Sequence, residues 1–452
     1  MDERAALRQL SNDELIGIIL ELQAKVKQLE ERDRRPPKTP NNSSIPSGQQ
    51  PKANRRQGKR AKRGPKKGHP GTSRTTAEPD VVVEIRVETC TGCGADLRAG
   101  PQEVVGSSQV MDLPPVRPVV IEARRCRVCC PACGQTQTAD YPAGLEAERV
   151  FGPRLEAVVH YLHLAHPLSY VRVQGILHDL FGLDISLGAL VNAVRRARDT
   201  FSAAAQTILD DVRVSGVIGS DETGARIDGQ TAWLWVVQTD DSAYYTVAPT
   251  RGAVVLDTLM GNALPTVWVS DLAKAQLKQP AVLRQICLAH QTRDLQYAID
   301  ADRCAWAYRF QALLFRAQRL GKQRETIPPH EYGRQVVALE RACDALLEQV
   351  PRSPESQNLQ RRFLLHRDHL FTFLSVPGVP PTNNASEQAL RNSVIYRKVT
   401  GGFRSDWGAA AYANVASILE TARRRGQAFL DTLIALLTKP FDLSLSFALP
   451  GE

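Results

Sequence analysis

Along the chain, apolar positions change period several times, and each change marks an element. Between residues 11 and 32 they fall at Leu15, Leu22 and Leu29, with Ile19 and Val26 three places before the last two. This is a heptad seam, d at 15, 22 and 29 and a at 19 and 26, and it predicts a short coiled-coil helix. Asn12 falls in the same a register. Ser11 and Glu14 form a capping box at its start, with Leu10 and Leu15 placed to staple it. Ile16 and Ile18 widen the apolar face, so docking on the chain's own surface is the alternative to self-association.

From residue 35 to about 78 no apolar period survives; Pro, Gly, Ser, Asn and basic residues predict a flexible linker. Short β-prone runs follow at 81–87 and 119–121. Residues 153–208 read as three helices, 154–165, 169–180 and 187–201. Gly182 stops the second and Ser186 caps the third. Their tight turns, with Arg195, Arg196 and Arg198, suit a helix-turn-helix reader, against a plain helical spacer. At 213 the period becomes two: strands at 214–220, 232–238 and 242–248, a helix at 254–259, and a strand at 266–270. Residues 281–375 read almost wholly as helix, as do 384–398 and 408–425.

The 452 residues are 43% hydrophobic and 23% charged, which excludes a disordered chain, a collagen or a rod. No apolar run is long enough to cross a bilayer, and Met1-Asp2-Glu3-Arg4 lacks a secretory core, so a soluble, cytoplasmic protein is expected. Net charge is +9, yet residues 34–74 hold 13 Lys or Arg and no acid, so without them the charge is −4. Lys59, Arg60, Lys62, Arg63, Lys66 and Lys67 form the densest part. Such a run suits nucleic acid phosphates, with a solvated linker as the bland alternative. No apolar face accompanies it, which argues against a membrane.

Six of the nine cysteines lie between 90 and 133. Cys90-Thr-Gly-Cys93-Gly and Cys130-Pro-Ala-Cys133-Gly are two knuckles, and two such pairs complete a structural tetrahedral zinc site. Cys126 and Cys129 are a rival second pair. Cys287-Leu-Ala-His290 has metal-like spacing, but no second Cys/His pair follows, so a buried cysteine and a polar histidine on a packed helix are expected. Cys304 and Cys343 read as core thiols.

Three carboxylates remain. Asp221 ends the first strand in Gly-Ser-Asp-Glu-Thr-Gly, and Asp271 ends the fourth in Val-Trp-Val-Ser-Asp. First and fourth strands of a β-β-β-α-β sheet can be parallel neighbours, which brings these ends together. Glu387 opens an amphipathic helix able to pack on the same sheet. Three carboxylates around one point can hold two Mg²⁺ ions about 3.5–4 Å apart for in-line displacement at phosphorus, and Mn²⁺ can substitute. Arg391, Arg397, Lys398 and Arg404 follow as candidate phosphate contacts; Arg423–Arg425 read more simply as a solvated face.

The chain resembles the transposases of the insertion sequence 66 family over most of its length. The resemblance rests on the zipper-like helix, Asn42-Ser-Ser, Gly-His-Pro-Gly at 68–71, the double knuckle, Asp221-Glu-Thr-Gly, Cys287-x-x-His290, and Asn383-Asn384-x-x-Glu387 before Arg397-Lys398. It implies a DDE catalytic domain of ribonuclease H-like fold, with a helical insertion between the second and third acids. It implies Asp221, Asp271 and Glu387 as metal ligands, and His290 and the basic residues after Glu387 near the DNA path. Leu288, Thr382 and the Leu-Ala-Lys-Ala after Asp271 depart from the family pattern, and Glu222 and Asp294 stand as alternatives to Asp271.

The expected architecture is multidomain α/β. It comprises a coiled coil (1–33), basic linker (34–78), zinc module (79–145), helical region (146–212), catalytic domain (213–282 and 379–437) around a helical insertion (283–378), and a tail (438–452). The expected activity is Mg²⁺-dependent cleavage at terminal inverted repeats and strand transfer into target DNA. The zipper would pair subunits, and accessory proteins of the element are candidate partners. The rivals are a non-catalytic zinc-dependent DNA-binding regulator and a nuclease that cuts without joining.

Overall fold

The structure is a computed structural model that describes residues 11–39, 41–43, 75–141, 145 and 150–438. The linker lysines and arginines 59–67 lie outside the described residues. Helix α1 (Asn12–Arg34) opens with the expected capping box: the Ser11 N–H donates to Glu14 Oε2 at 2.8 Å, and the Glu14 N–H donates to Ser11 Oγ at 3.3 Å. Ile16, Ile19, Leu22 and Val26 are each more than half exposed, so its seam is not docked on the chain's own surface.

The valine-rich runs at 81–87 and 119–121 do not form strands. Ile85 is 96% and Val120 91% exposed: no neighbouring strand or core meets them, and β-propensity without a packing face does not make a sheet. The hairpin here is instead β1 (Arg127–Cys129) against β2 (Thr136–Thr138), wrapped around the second knuckle.

Between the hairpin and the main sheet the described residues form four helices. Helix α2 (Pro153–His160) runs into a π turn at Tyr161–Ala165, and α3 (Tyr170–Phe181) ends on Gly182 at φ 65°. Helix α4 (Leu187–Arg196) is capped by Ser186, and α5 is Arg198–Arg213. The single helix expected at 187–201 is thus two. A bend at Ala197 lets Leu190 and Val194 on one side and Phe201 and Ile208 on the other reach one core.

The sheet holds β3 (Val217–Ile227), β4 (Gln230–Gln238), β5 (Ala243–Ala248), then α6 (Val254–Met260), β6 (Val267–Ser270), α7 (Lys274–Leu277) and β7 (Leu283–Ile286). Strand order is β5-β4-β3-β6-β7. The first three strands are antiparallel; β6 and β7 run parallel to β3. Strand β7 lies within the stretch expected to be helix: its four residues, Leu-Arg-Gln-Ile, are too few to show a period. Strand β3 also runs on past Asp221, because Asp228 (φ 46°) and Gly229 (φ 75°) make a primed turn that hands it to β4.

The helices that follow are α8 (Leu288–Asp302), α9 (Ala305–Lys322), α10 (Pro329–Leu347), α11 (Pro354–Leu365), α12 (Thr372–Ser375), α13 (Asn384–Thr400), α14 (Asp406–Arg424) and α15 (Phe429–Thr438).

Alternation along the strands sorts side chains into three cores. Leu234 and Val236 of β4 face a core shared with α2–α5 and α13–α15. Val267 and Val269 of β6 and Ile286 of β7 face the bundle α8–α12. Ile218, Trp235, Val237 and Trp268 point to the other side, against Leu256, Leu259 and Met260 of α6. Gly219 pairs with Val269 and Asp221 with Val236, so both residues face the side of the sheet carrying the first two cores.

Candidate active site

Helix α13 begins against this part of β3, held by a buried polar chain. The Asn383 side-chain amide donates to the Ser220 carbonyl at 2.8 Å, one residue before Asp221. Ser386 Oγ donates to Asn383 Oδ1 at 2.7 Å and accepts from Gln238 Nε2 at 2.8 Å. Gln238 Oε1 accepts in turn from the Arg424 guanidinium. A Cβ at Gly219 would lie 3.0 Å from Ser386 Oγ, so glycine is what lets α13 approach this closely. Asn383 belongs to the Asn383-Asn384-x-x-Glu387 motif, but nothing in its spacing pairs it with Gln238 or Arg424. Asn383→Ala leaves Ser386 and the Ser220 carbonyl short of partners. It is expected to lower stability by about 1–3 kcal/mol in urea denaturation, with a larger relative loss of activity than of DNA binding.

Asp221 sits mid-strand rather than at a strand end, at the point where β3 has left β6 and remains paired to β4 alone. Asp271 follows directly on β6. Asp221 Oδ1 accepts from the Glu222 N–H at 2.8 Å, and Asp271 Oδ1 from the Ala273 N–H at 2.9 Å. Burial pushes the Asp221 carboxyl well above its ordinary range; the Asp271 charge adds to this, as do Glu222 and Glu387. Asp271 and Glu387 are thus near enough to act on Asp221, but the ligand atoms of the three acids do not all lie within 4.8 Å of one another. All-oxygen donors with uncompensated negative charge fit a hard divalent ion.

The alternatives to Asp271 are engaged elsewhere. Glu222 meets Arg251 at 2.6 Å and Gln276 at 2.7 Å, and Asp294 meets Arg362 at 2.5 Å.

Glu387 lies in the first turn of α13, beside the start of α8. Its Oε2 is 3.9 Å from Arg293 and its Oε1 3.7 Å from His290 Nε2. Glu387 Oε1 and His290 Nδ1 are both buried without a hydrogen-bond partner. Cys287 occupies the N-cap position of α8, buried as expected, and its Sγ accepts from the Asn383 N–H at 3.1 Å. Burial raises its thiol pKa. Ligand atoms of Cys287, His290 and Glu387 lie within 4.8 Å of one another, the one such trio among the described residues. The CxxH spacing has no second Cys/His pair to match it; the third candidate donor is a carboxylate from another helix.

The basic candidates divide. Arg391 and Lys398 are exposed on α13, whereas Arg397 donates to the Gly224 carbonyl and so pins α13 to β3. Arg423 and Arg424 pair with Glu420, and Arg425 with Asp211 at 2.9 Å. On α4, Arg196 pairs with buried Glu156 at 2.6 Å and Arg195 lies over the Trp407 ring. These arginines make contacts within the chain, only Arg424 from a largely buried side chain.

Both knuckles form matching turns. The Gly94 N–H donates to the Cys90 carbonyl at 2.9 Å and the Gly134 N–H to the Cys130 carbonyl at 2.8 Å, with φ 75° and 73° at the glycines. Backbone N–H groups of Gly92 and Cys93 lower the Cys90 thiol pKa, and those of Cys133 and Ala132 lower that of Cys130. Cys93 and Cys133 are exposed; Cys129, of the rival pair, points its thiol at the Gly134 carbonyl at 3.4 Å. Among the described residues no three of these sulfurs lie within 4.8 Å.

The model of the transposase IS66 family matches residues 148–411. The chain belongs to this family. It is thus a transposase, a DNA-processing enzyme, and the family implies DNA binding and use of a divalent metal. Among curated proteins none matches the chain. No described helix of this transposase is long and apolar enough to cross a membrane. The matched region takes in β3 to β7, the helices α8–α13 and all three acids.

Proposed function

We propose that this transposase is of the DDE type, with Asp221, Asp271 and Glu387 as ligands of two Mg²⁺ ions, replaceable by Mn²⁺. It binds the terminal inverted repeats of its element, hydrolyses a phosphodiester to free a 3′-hydroxyl, and joins that end to target DNA. The observation that carries this is the burial of Asp221, on which the charges of Asp271, Glu222 and Glu387 act. The strand order and the mixed pairing support a ribonuclease H-like domain, with α8–α12 as its helical insertion. When bound, the ions supply an activated oxygen nucleophile and neutralise charge on the leaving oxygen.

The chain's own residues hold the geometry. Asn383, Ser386 and Gln238 fix the start of α13 relative to β3, and so fix Glu387 relative to Asp221. Arg391 and Lys398 bind DNA phosphates, together with Lys59, Arg60, Lys62, Arg63, Lys66 and Lys67 of the linker. Arg397 serves mainly to position α13. Cys90, Cys93, Cys130 and Cys133 are the ligands of a structural zinc in a module that contributes to end recognition, with Cys126 and Cys129 the alternative pair.

The exposed seam of α1 supports self-association that pairs two subunits across the element ends. Leu22→Glu with Val26→Glu is expected to shift the protein toward monomer in sedimentation equilibrium. An unchanged mass would remove α1 from the interface.

Labelled DNA carrying the ends that flank the gene tests the function. Joined strands in Mg²⁺ support transposition, cut strands alone point to a nuclease, and binding without cleavage points to the regulator.

A further inference from the structure

The CxxH turn at the start of α8 is not used by the three-acid reading, yet it lies directly against one of the acids. Cys287, His290 and Glu387 offer sulfur, nitrogen and oxygen within 4.8 Å of one another. That mixture is unlike the all-oxygen set that Mg²⁺ selects, and like the sets that zinc takes in sites with three protein ligands and an open position.

The spacing fits. With Zn–N near 2.0–2.1 Å and Zn–O near 2.0–2.2 Å, two ligands of one tetrahedral ion stand about 3.3–3.5 Å apart. His290 Nε2 and Glu387 Oε1 stand 3.7 Å apart, too far for a hydrogen bond. Glu387 Oε1 is buried and has no hydrogen-bond partner, an arrangement that normally destabilises a fold and that an ion relieves. Its other oxygen stays free to face Arg293. The two helix starts are also tied together without any ion. The Leu288 N–H donates to the Pro381 carbonyl at 3.0 Å, and the Asn383 N–H to Cys287 Sγ. The ligands are thus held near one another by backbone rather than by chance rotamers.

We propose that Cys287, His290 and Glu387 form a binding site for a zinc-class divalent cation, which removes Glu387 from the Mg²⁺ site when filled. The competition, though not the binding, rests on the catalytic role given above to Glu387. On binding, the Cys287 S–H bond breaks, a metal–sulfur bond forms, and the proton leaves to solvent. A water takes the fourth position. Mg²⁺ does not compete for the sulfur, so the two ions are distinguished by their ligands and compete only through the shared carboxylate.

Co²⁺ titration of the full-length protein reports on this directly, because cobalt bound to thiolate shows a ligand-to-metal charge-transfer band. One equivalent of Zn²⁺ is added first, which a four-thiolate knuckle site takes up ahead of a three-ligand site, so that Co²⁺ reads the remaining site. Wild type is expected to take up Co²⁺ with such a band. Cys287→Ser loses the band, and His290→Asn weakens Co²⁺ binding at least tenfold. Cys287 is buried, so far-ultraviolet circular dichroism checks each variant, and half-buried His290 provides the second probe if Cys287→Ser unfolds. A band of equal strength in wild type and Cys287→Ser, or Co²⁺ affinity unchanged in His290→Asn, overturns the site. Neither readout requires DNA or turnover, so a failure of the catalytic reading is seen separately, as absent cleavage alongside an intact Cys287-dependent band. Where cleavage is present, micromolar Zn²⁺ added over Mg²⁺ is expected to inhibit wild type, with the inhibition relieved at least tenfold in Cys287→Ser.

Discussion

Asp221→Asn is expected to abolish metal-dependent strand cleavage, by about 10³-fold or more, while raising the melting temperature of the metal-free protein. Both effects come from the same feature. Burial raises the Asp221 pKa well above its ordinary value, and the charges of Asp271, Glu222 and Glu387 raise it further. The folded protein therefore holds a proton on this group over a pH range in which the unfolded chain has lost it. In that range stability falls as pH rises, and above the folded pKa the full cost of the buried charge is present. Asparagine has nearly the same shape and no charge, so it removes the cost and the proposed metal ligand together, a trade of stability against function. Differential scanning fluorimetry near neutral pH, with and without Mg²⁺, checks it. Wild type gains stability from Mg²⁺ and the variant gains little. An unchanged melting temperature in the metal-free variant would mean that Asp221 is not under electrostatic load.

The second large effect is structural. Glu420 sits on α14 with its side chain 10% exposed, paired with Arg423 at 2.5 Å and Arg424 at 3.0 Å. Arg424, 8% exposed, also donates to the Thr239 carbonyl and to Gln238 Oε1. Glu420→Ala leaves Arg424 buried without its counter-charge, and such breaks cost about 3–5 kcal/mol. Burial raises the Glu420 pKa, but the two arginines outweigh it and the net shift is downward. Its contribution is therefore present above the ordinary glutamate pKa and is lost as pH falls below that value and through the lowered folded one. Urea denaturation near neutral pH and in acid is expected to show a difference between wild type and variant that shrinks in acid. The loss also reaches the active site, because Arg424 is the outer end of the chain through Gln238, Ser386 and Asn383 to Ser220.

How far the fold could be read depends on the element. The capping box of α1, the stop at Gly182 and the cap at Ser186 are local chemistry, and all three hold in the structure. Strands β4, β5 and β6 carry enough apolar residues for their period to show. Strand β7 does not, because its four residues sit at the sheet edge beside a long helical stretch. The far half of β3, Thr223 to Ile227, offers only Ala225 and Ile227 as apolar positions, too few to show a period, and a primed turn returns it to β4.

At the candidate site, Asp221 and Asp271 stood out because β-rich runs carry them, and Glu387 because it opens an amphipathic helix. What holds Glu387 was not legible. Gln238 and Ser386 are far apart in sequence and ordinary in type, and only packing makes them partners. Arg397 was legible as a cation and not as a strut, since its carbonyl partner lies on β3. The Cys287-His290 pair is incomplete in sequence for the same reason: the third candidate donor comes from α13.

The central claim is that Asp271 and Glu387 act with Asp221 at one metal-dependent site. Cleavage and joining of end-labelled element DNA in Mg²⁺, with wild type beside Asp271→Asn and Glu387→Gln, tests it most directly. The expected result is that wild type cuts and joins, while both variants bind the same DNA and do neither. Cleavage at the wild-type rate by either variant would contradict the claim.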